Sequence, residues 1–267
     1  MKSRLLVAAA GVPVLLYLVL WGPPLALLAA LALLAGIGGG ELYRCVGGEK
    51  DSWLAETAVF VPCCTVGWYY FQPELVSVWF ILSALAVCSY AICKGGAVRF
   101  HQIAAVLFGG IAIGYAFSSF VHIYASGVSR GYLLLPFLLS FGCDTFAYFT
   151  GLALGRHKLA PRVSPHKTVE GAVGGLAGNV LCALGFAWAM NRWFGGAVPY
   201  GAMALLGLFC GVVAQVGDLS FSLIKREFGI KDYGRIFFAH GGVLDRFDSV
   251  IFVAPVLAAL LELLQIG

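Results

Sequence analysis

Long apolar runs broken by short polar stretches fill the chain from residue 5 to residue 266. A helix needs about 20 apolar residues to cross a bilayer. Nine segments meet that criterion, at roughly 5–21, 24–40, 54–71, 75–93, 102–122, 131–154, 169–190, 200–221 and 246–266. The pattern predicts an all-α, polytopic integral membrane protein with about nine transmembrane helices. Only Gly22 and Pro23 separate the first two segments, which predicts a tight hairpin, because proline lacks the N–H that would continue a helix. The basic start and apolar run of residues 1–20 also suit a signal peptide. No convincing cleavage site precedes a soluble region, so this stretch is expected to be the first transmembrane helix.

Composition agrees with that pattern. Of 267 residues, 61% are hydrophobic and 11% charged, against roughly 25% charged in soluble domains, and no polar stretch is long enough to bury a separate core. One continuous membrane domain is expected, with scaffold helices over residues 1–130 and a catalytic region with two charged cytoplasmic loops over residues 131–267. The net charge of +4 matters less than its sidedness. With nine spans, all 17 basic residues except Arg130 and Arg192 fall on the side of the N-terminus. By the positive-inside rule that side is cytoplasmic, and the C-terminus is expected on the opposite face. The membrane expected is a bacterial plasma membrane, with the active site facing the cytoplasm.

The eight cysteines mostly lie in apolar runs and show no metal-binding spacing, so they are read as small hydrophobes. The stretch 41–53 mixes charges and is expected to be a solvated loop. Segments one to five contain no carboxylate within residues 54–122 apart from Glu56 and Glu74 near predicted ends. They are assigned to scaffold, lipid contact and, in a homodimer, subunit contact. His122 suits an interfacial hydrogen bond better than a ligand role.

The sixth segment changes character at Asp144, since an ionisable side chain inside a membrane is costly and marks a site by default. The following stretch, GRHKLAPRVSPHKTVEGAVGG, is rich in base, proline and glycine. It has two readings: a patch for anionic lipid, or a phosphate site with Lys167 and Thr168 opening a helix near Glu170, where unpaired N–H groups suit an anion. Asn179 is expected in an interhelical hydrogen bond, and Gly171, Gly174, Gly175 and Gly178 are expected where another helix packs closely. Gln215 and Asp218 come near the cytoplasmic end of segment eight.

Residues 218–249 gather Asp218, Glu227, Asp232, Asp245 and Asp248 with Lys225, Arg226, Lys231, Arg235 and Arg246 and a His240-Gly241-Gly242 turn. Asp245 and Asp248, three apart at the start of the last helix, share one face. Convergent carboxylates repel without a cation, and such oxygen-rich sites suit Mg2+, which completes its shell with water and substrate phosphate. Acids for Mg2+ beside bases for phosphate make up the electrostatic equipment of phosphoryl or nucleotidyl transfer. No P-loop, zinc-protease, nucleophile-elbow or dinucleotide fingerprint is present. An ion-coupled transporter is the alternative from another class; it predicts inverted repeats and broken helices, which the sequence does not display.

SLIKREFGIKDYGRIFFAHGGVLDRFD resembles the signature of the phosphatidate cytidylyltransferase (CDP-diacylglycerol synthase) family, through Ser222, Lys225, Arg226, Lys231, Asp232, His240, Gly241, Gly242, Asp245, Arg246 and Asp248. The upstream stretch resembles the second motif of that family, through Asp144, Ser164, Pro165, Lys167, Thr168, Glu170 and Gly171. Phe238-Ala239, His166, Val169 and Tyr233 depart from the family pattern. The resemblance implies transfer of the cytidylyl group from CTP to phosphatidate. It implies catalytic roles for Asp218, Lys225, Arg226, Asp245 and Asp248, and substrate or phosphate contacts for Lys167, Ser222, Lys231, His240 and Arg246. Metal ligation is implied for Asp218, Asp245 and Asp248, with Asp144 either completing the metal site or orienting Lys167. Mg2+ is the expected cofactor, with a second cation left open. The partners are CTP, phosphatidate and membrane lipids, and nucleic acid is not expected. A CTP-dependent lipid kinase, or a cytidylyltransferase for another lipid phosphate, would share the charged residues.

Overall fold

A computed structural model of the chain describes residues 13–47, 51–234, 236 and 241–266. The described residues are almost all helical. Residues 13–20 form α1, followed by α2 (Pro24–Cys45), α3 (Ser52–Phe71), α4 (Val76–Cys93), α5 (Phe100–Phe108) and α6 (Gly114–Ala125). After these come α7 (Leu135–Leu154), α8 (Val169–Trp193), α9 (Tyr200–Glu227) and α10 (Leu244–Leu263). Among the described residues, six helical stretches are long and apolar enough to cross a membrane: Pro24–Cys45, Pro73–Cys93, Phe100–Ala125, Arg130–Leu154, Val169–Trp193 and Tyr200–Glu227. The protein is therefore an all-α, multi-spanning membrane protein.

One expectation is corrected. The stretch 41–53 is not a solvated loop throughout, because α2 continues to Cys45 and Glu41, Leu42 and Tyr43 are buried. Helix continuation there follows from satisfied chemistry, since the Glu41 carboxylate accepts two backbone N–H groups inside the protein. The charged loop between α7 and α8 carries a two-stranded antiparallel hairpin of β1 (Lys158–Ala160) and β2 (Ser164–Thr168), an element not assigned from the sequence.

The chain forms two compact units. The first combines Met1–Ala125 with Glu227–Phe247 and the second combines Ser126–Arg226 with Asp248–Gly267. In the first, α3 packs on α2 and α6, and a π-helical turn at Gly109–Ile113 joins α5 to α6. Gly110 lies against the Val61 side chain and Gly114 against Thr65, so the bare backbone lets these helices approach closely. Pro23 and Pro24 begin α2, where a missing N–H costs nothing. The Asp51 carboxylate caps α3 by accepting from Leu54 N at 3.2 Å. The Tyr69 hydroxyl bonds His122 Nδ1 at 3.0 Å, a structural partner for that histidine.

In the second unit α7 packs along α8. The α8 glycines lie where the sequence suggested, with Gly174 against Thr150, Gly175 against Ala147 and Gly178 against the Phe146 ring. Asn179 is fully buried and its Nδ2 donates to Gly207 O at 2.8 Å, linking α8 to α9. Substituting valine for Gly178 should drive a side chain into Phe146 and destabilise the unit by about 1–3 kcal/mol. Gly185→Ala, at a position open within 4 Å, should be tolerated. Thermal unfolding in detergent checks this; equal midpoints for the two variants would contradict the packing described.

Candidate active site

The polar residues of the second unit gather toward the C-terminal parts of α7 and α9 and the N-terminal end of α8. The hairpin hands the chain from α7 to α8 and places Lys167 one residue before the α8 cap. Thr168 is that cap, its hydroxyl accepting from Gly171 N at 3.1 Å. Glu170 fastens the hairpin base, accepting from Arg156 N at 3.0 Å, His157 N at 3.2 Å and His157 Nδ1 at 2.6 Å. The His157 carbonyl in turn accepts from Val169 N at 2.9 Å. Near the hairpin tip, Arg226 Nε at the end of α9 donates to Val163 O at 3.3 Å.

Held in this way, Lys167 Nζ makes an ion pair with Asp218 Oδ2. Both side chains are mostly covered, 27% and 19% exposed respectively. The other Asp218 oxygen accepts from Ser222 Oγ, one helical turn on, at 3.4 Å. Gln215 Nε2, facing the same region from α9, donates to Ala172 O at 2.9 Å. Asp144 lies within electrostatic reach of Asp218 and Lys167, and Asp248 within reach of Asp218, Lys225 and Asp144. Ser249 stands between the last two acids: its N–H donates to Asp248 Oδ1 at 2.7 Å, while its hydroxyl is 3.3 Å from that oxygen and also bonds Asp144. One hydroxyl proton serves one acceptor at a time, so Asp144 and Asp248 compete for the Ser249 hydroxyl.

A cavity of about 520 Å3 opens on this cluster. Asp144, Lys167, Gln215 and Asp218 line its polar part, whereas Tyr148 and Leu152 of α7 supply apolar wall. Those two side chains are 65% and 73% exposed, as expected for a helix face that meets lipid. A pocket with charge at one end and hydrocarbon along its side suits an amphiphile with an anionic head.

The first unit carries the rest of the signature. Asp245, in the first turn of α10, accepts with Oδ2 from Tyr233 N at 2.7 Å and from Gly242 N at 2.9 Å. Lys231, Asp232 and Arg246 are exposed. His240, with Arg235, Phe238 and Ala239, lies outside the described residues.

Of the candidate residues, Asp144, Lys167, Asp218, Ser222, Lys225 and Asp248 therefore occupy one neighbourhood, with Arg226 bound to the hairpin beside it. Lys231, Asp245 and Arg246 belong to the other unit. Sequence reasoning missed Ser249, Gln215 as an anchor to α8, and Glu41. Ser249 had a signal in its place directly after Asp248. Among the described residues, no three His, Cys, Asp or Glu side chains form a ready-made metal cage.

The cluster thus places acids and a lysine at the polar end of a cavity with an apolar wall, in a chain whose helices are long and apolar enough to cross a membrane. The family model described as "Cytidylyltransferase family" matches residues 2–264. The chain is 38% identical over 185 residues to a phosphatidate cytidylyltransferase of Staphylococcus aureus, covering 68% of this chain and 67% of that one. It is 35% identical over 184 residues to a phosphatidate cytidylyltransferase of Bacillus subtilis, with the same coverage. The chain thus belongs to the cytidylyltransferase family. Membership makes it a nucleotidyltransferase and removes the ground for reading it as a transporter.

The anchoring of the hairpin can be checked apart from activity. Glu170→Ala removes the acceptor shared by Arg156 and His157, so trypsin should cut at Arg156, Lys158 or Arg162 several-fold faster than in the parent protein. Unchanged cleavage would show that Glu170 does not hold the hairpin.

Proposed function

We propose that this protein is a phosphatidate cytidylyltransferase, forming CDP-diacylglycerol and pyrophosphate from CTP and phosphatidate in phospholipid synthesis. The observation that carries the reading is the Lys167–Asp218 pair at the polar end of a cavity whose side is apolar. A phosphate head fits beside Lys167 and acyl chains fit along Tyr148 and Leu152.

The chemistry asks little of the protein in proton transfer. A phosphate monoester has a second pKa of about 6 and is largely dianionic at neutral pH. One of its oxygens attacks the α-phosphorus of CTP, a new P–O bond forms, and the bond to the bridging oxygen breaks to release pyrophosphate. No general base is required, so catalysis consists of alignment and charge neutralisation. Lys167, Lys225 and the terminal nitrogens of Arg226 neutralise phosphate charge, Arg226 Nε being engaged by Val163. Asp144 and Ser222 orient Lys167 and Asp218, and Ser222 reaches substrate only if it leaves Asp218. Lys231, His240, Arg246 and Asp245 are assigned to the same reaction through their places in the signature.

Mg2+ suits the donors present. Asp144, Asp218 and Asp248 offer hard oxygen ligands within electrostatic reach of one another, and Mg2+ characteristically takes one or two carboxylates and leaves the remaining positions to water and phosphate. Asp218 and Asp248 would hold it, with Asp144 beside them, and a second cation has room in the same proposal. Bound there, the ion would neutralise charge on the nucleotide phosphates. Asp245 shares this assignment by resemblance, although its Oδ2 already accepts two backbone N–H groups.

The topology proposed is nine spans with the N-terminus in the cytoplasm, which sets the basic loops and the site on the side where CTP is available. Bacterial relatives suit a plasma membrane as the location. A homodimer is proposed as the assembly.

Purified protein incubated with phosphatidate and CTP labelled in the cytidine or, separately, at the γ-phosphate distinguishes the readings. Label from cytidine should enter lipid, and γ-label should leave as pyrophosphate. Lipid labelled only from the γ-phosphate would identify a kinase instead. Asp248→Asn should lower CDP-lipid formation by 100-fold or more, on the order of an electrostatic site in phosphoryl transfer; full turnover in that variant would remove Asp248 from the site.

A further inference from the structure

Glu41 is a carboxylate with no exposed surface, in the middle of the first unit and on a helix apolar enough to span a membrane. Such a group persists only where its charge is met. Here both oxygens accept backbone N–H groups, Oε1 from Val243 at 3.0 Å and Oε2 from Leu244 at 2.9 Å. These belong to the start of α10, where the first N–H groups of a helix have no partner within it and where the helix dipole favours an anion. Helix caps ordinarily come from the adjacent residue; this one comes from about two hundred residues upstream.

The chain around that cap is fitted to Glu41. A Cβ on Gly234 or Gly242 would collide with the Glu41 carboxylate, and Gly241, at φ +83°, packs flush on Asp245. Asp245 completes the arrangement by accepting Gly242 N, the donor directly before the two that Glu41 takes, together with Tyr233 N. Two acids thus divide three consecutive backbone donors of one turn, Gly242, Val243 and Leu244, with Tyr233 N as a fourth from earlier in the chain. Whatever moves Val243 and Leu244 moves the residue that orients Asp245.

We propose that Glu41 is a positioning residue for nucleotidyl transfer, acting through the 241–244 turn to fix the Asp245 carboxylate. This rests on the cytidylyltransferase reading given above. Among the described residues Glu41 hydrogen-bonds to backbone N–H groups, and it is given no place among the reacting groups.

Glu41→Gln preserves volume but turns an NH2 group toward one of the two N–H donors, so one hydrogen bond is replaced by repulsion. Gly234→Ala leaves Glu41 intact and pushes the turn away from it. In detergent-solubilised protein without substrate, amide hydrogen exchange at Val243 and Leu244 should quicken about tenfold or more in both variants, with the rest of the first unit unchanged. In steady state, kcat for CDP-lipid formation should fall about tenfold or more, while the KM for phosphatidate stays at its wild-type value. Wild-type exchange, or wild-type turnover despite quickened exchange, would overturn the proposal. Exchange that quickens throughout the unit in both variants would also overturn it, showing Glu41 to be a stability residue only. A wild-type protein that forms no CDP-lipid would overturn the cytidylyltransferase reading and the catalytic half of this inference, with the exchange measurement still reporting on the tie between Glu41 and the turn.

Discussion

Most of the second unit can be understood as what it takes to keep Lys167 against Asp218. A largely covered ion pair gains little net stability, because desolvating two charges consumes most of their attraction, and removing one partner leaves a costly charge behind. Such a pair is therefore weak evidence for stability, and its retention next to a substrate-sized cavity points to use. The surrounding structure restrains it from several directions. Glu170 closes the base of the hairpin, Arg226 reaches toward its tip, Thr168 caps the helix that follows, and Ser222 meets the second Asp218 oxygen. In the proposed function, a lysine held at the polar end of this cavity would receive phosphate with its cost in flexibility already met before the substrate arrives.

Around Asp144, Asp218 and Asp248 stand Lys167, Lys225 and the hydroxyls of Ser222 and Ser249. Bound phosphate would add negative charge to this group, and in the proposed function a divalent cation would offset it. In the first unit backbone N–H groups do part of this work: both Glu41 oxygens and Asp245 Oδ2 accept main-chain donors around the turn that opens α10.

How much of this the sequence disclosed follows from the range of each interaction. Apolar runs of helical length depend on composition alone, and the helices fall close to the segments read from them. Local chemistry was also legible: Thr168 caps the helix that it was expected to open, Asn179 bonds across to another helix, and the α8 glycines mark its contact with α7. The sequence groups Asp218, Asp245 and Asp248, with Asp144 and the loop residue Lys167, because acids in apolar surroundings are rare enough to be informative; in the structure Asp144, Lys167, Asp218 and Asp248 belong to the second unit and Asp245 to the first. Glu41 was not legible, since its partners are main-chain donors that any residue could supply and that lie far along the chain. It shares the stretch 41–53 with Arg44, Glu49, Lys50 and Asp51, so it reads as part of a polar loop. The hairpin was missed for a related reason. Its strands are three and five residues long and contain Pro165 and three basic or histidine side chains, with none of the β-branched alternation that announces a strand. Its shape depends on Glu170 and Arg226, which tether it through main-chain atoms.

The most direct measurement is an exchange of the two charges. Lys167→Asp and Asp218→Lys are each made alone and then together, and thermal stability in detergent is followed alongside CDP-lipid formation. If the pair exists to hold and neutralise substrate phosphate, the double variant regains the stability lost by the single variants and remains inactive, because a carboxylate now faces the phosphate. Recovery of turnover along with stability would contradict that role and leave Lys167–Asp218 as a structural bridge.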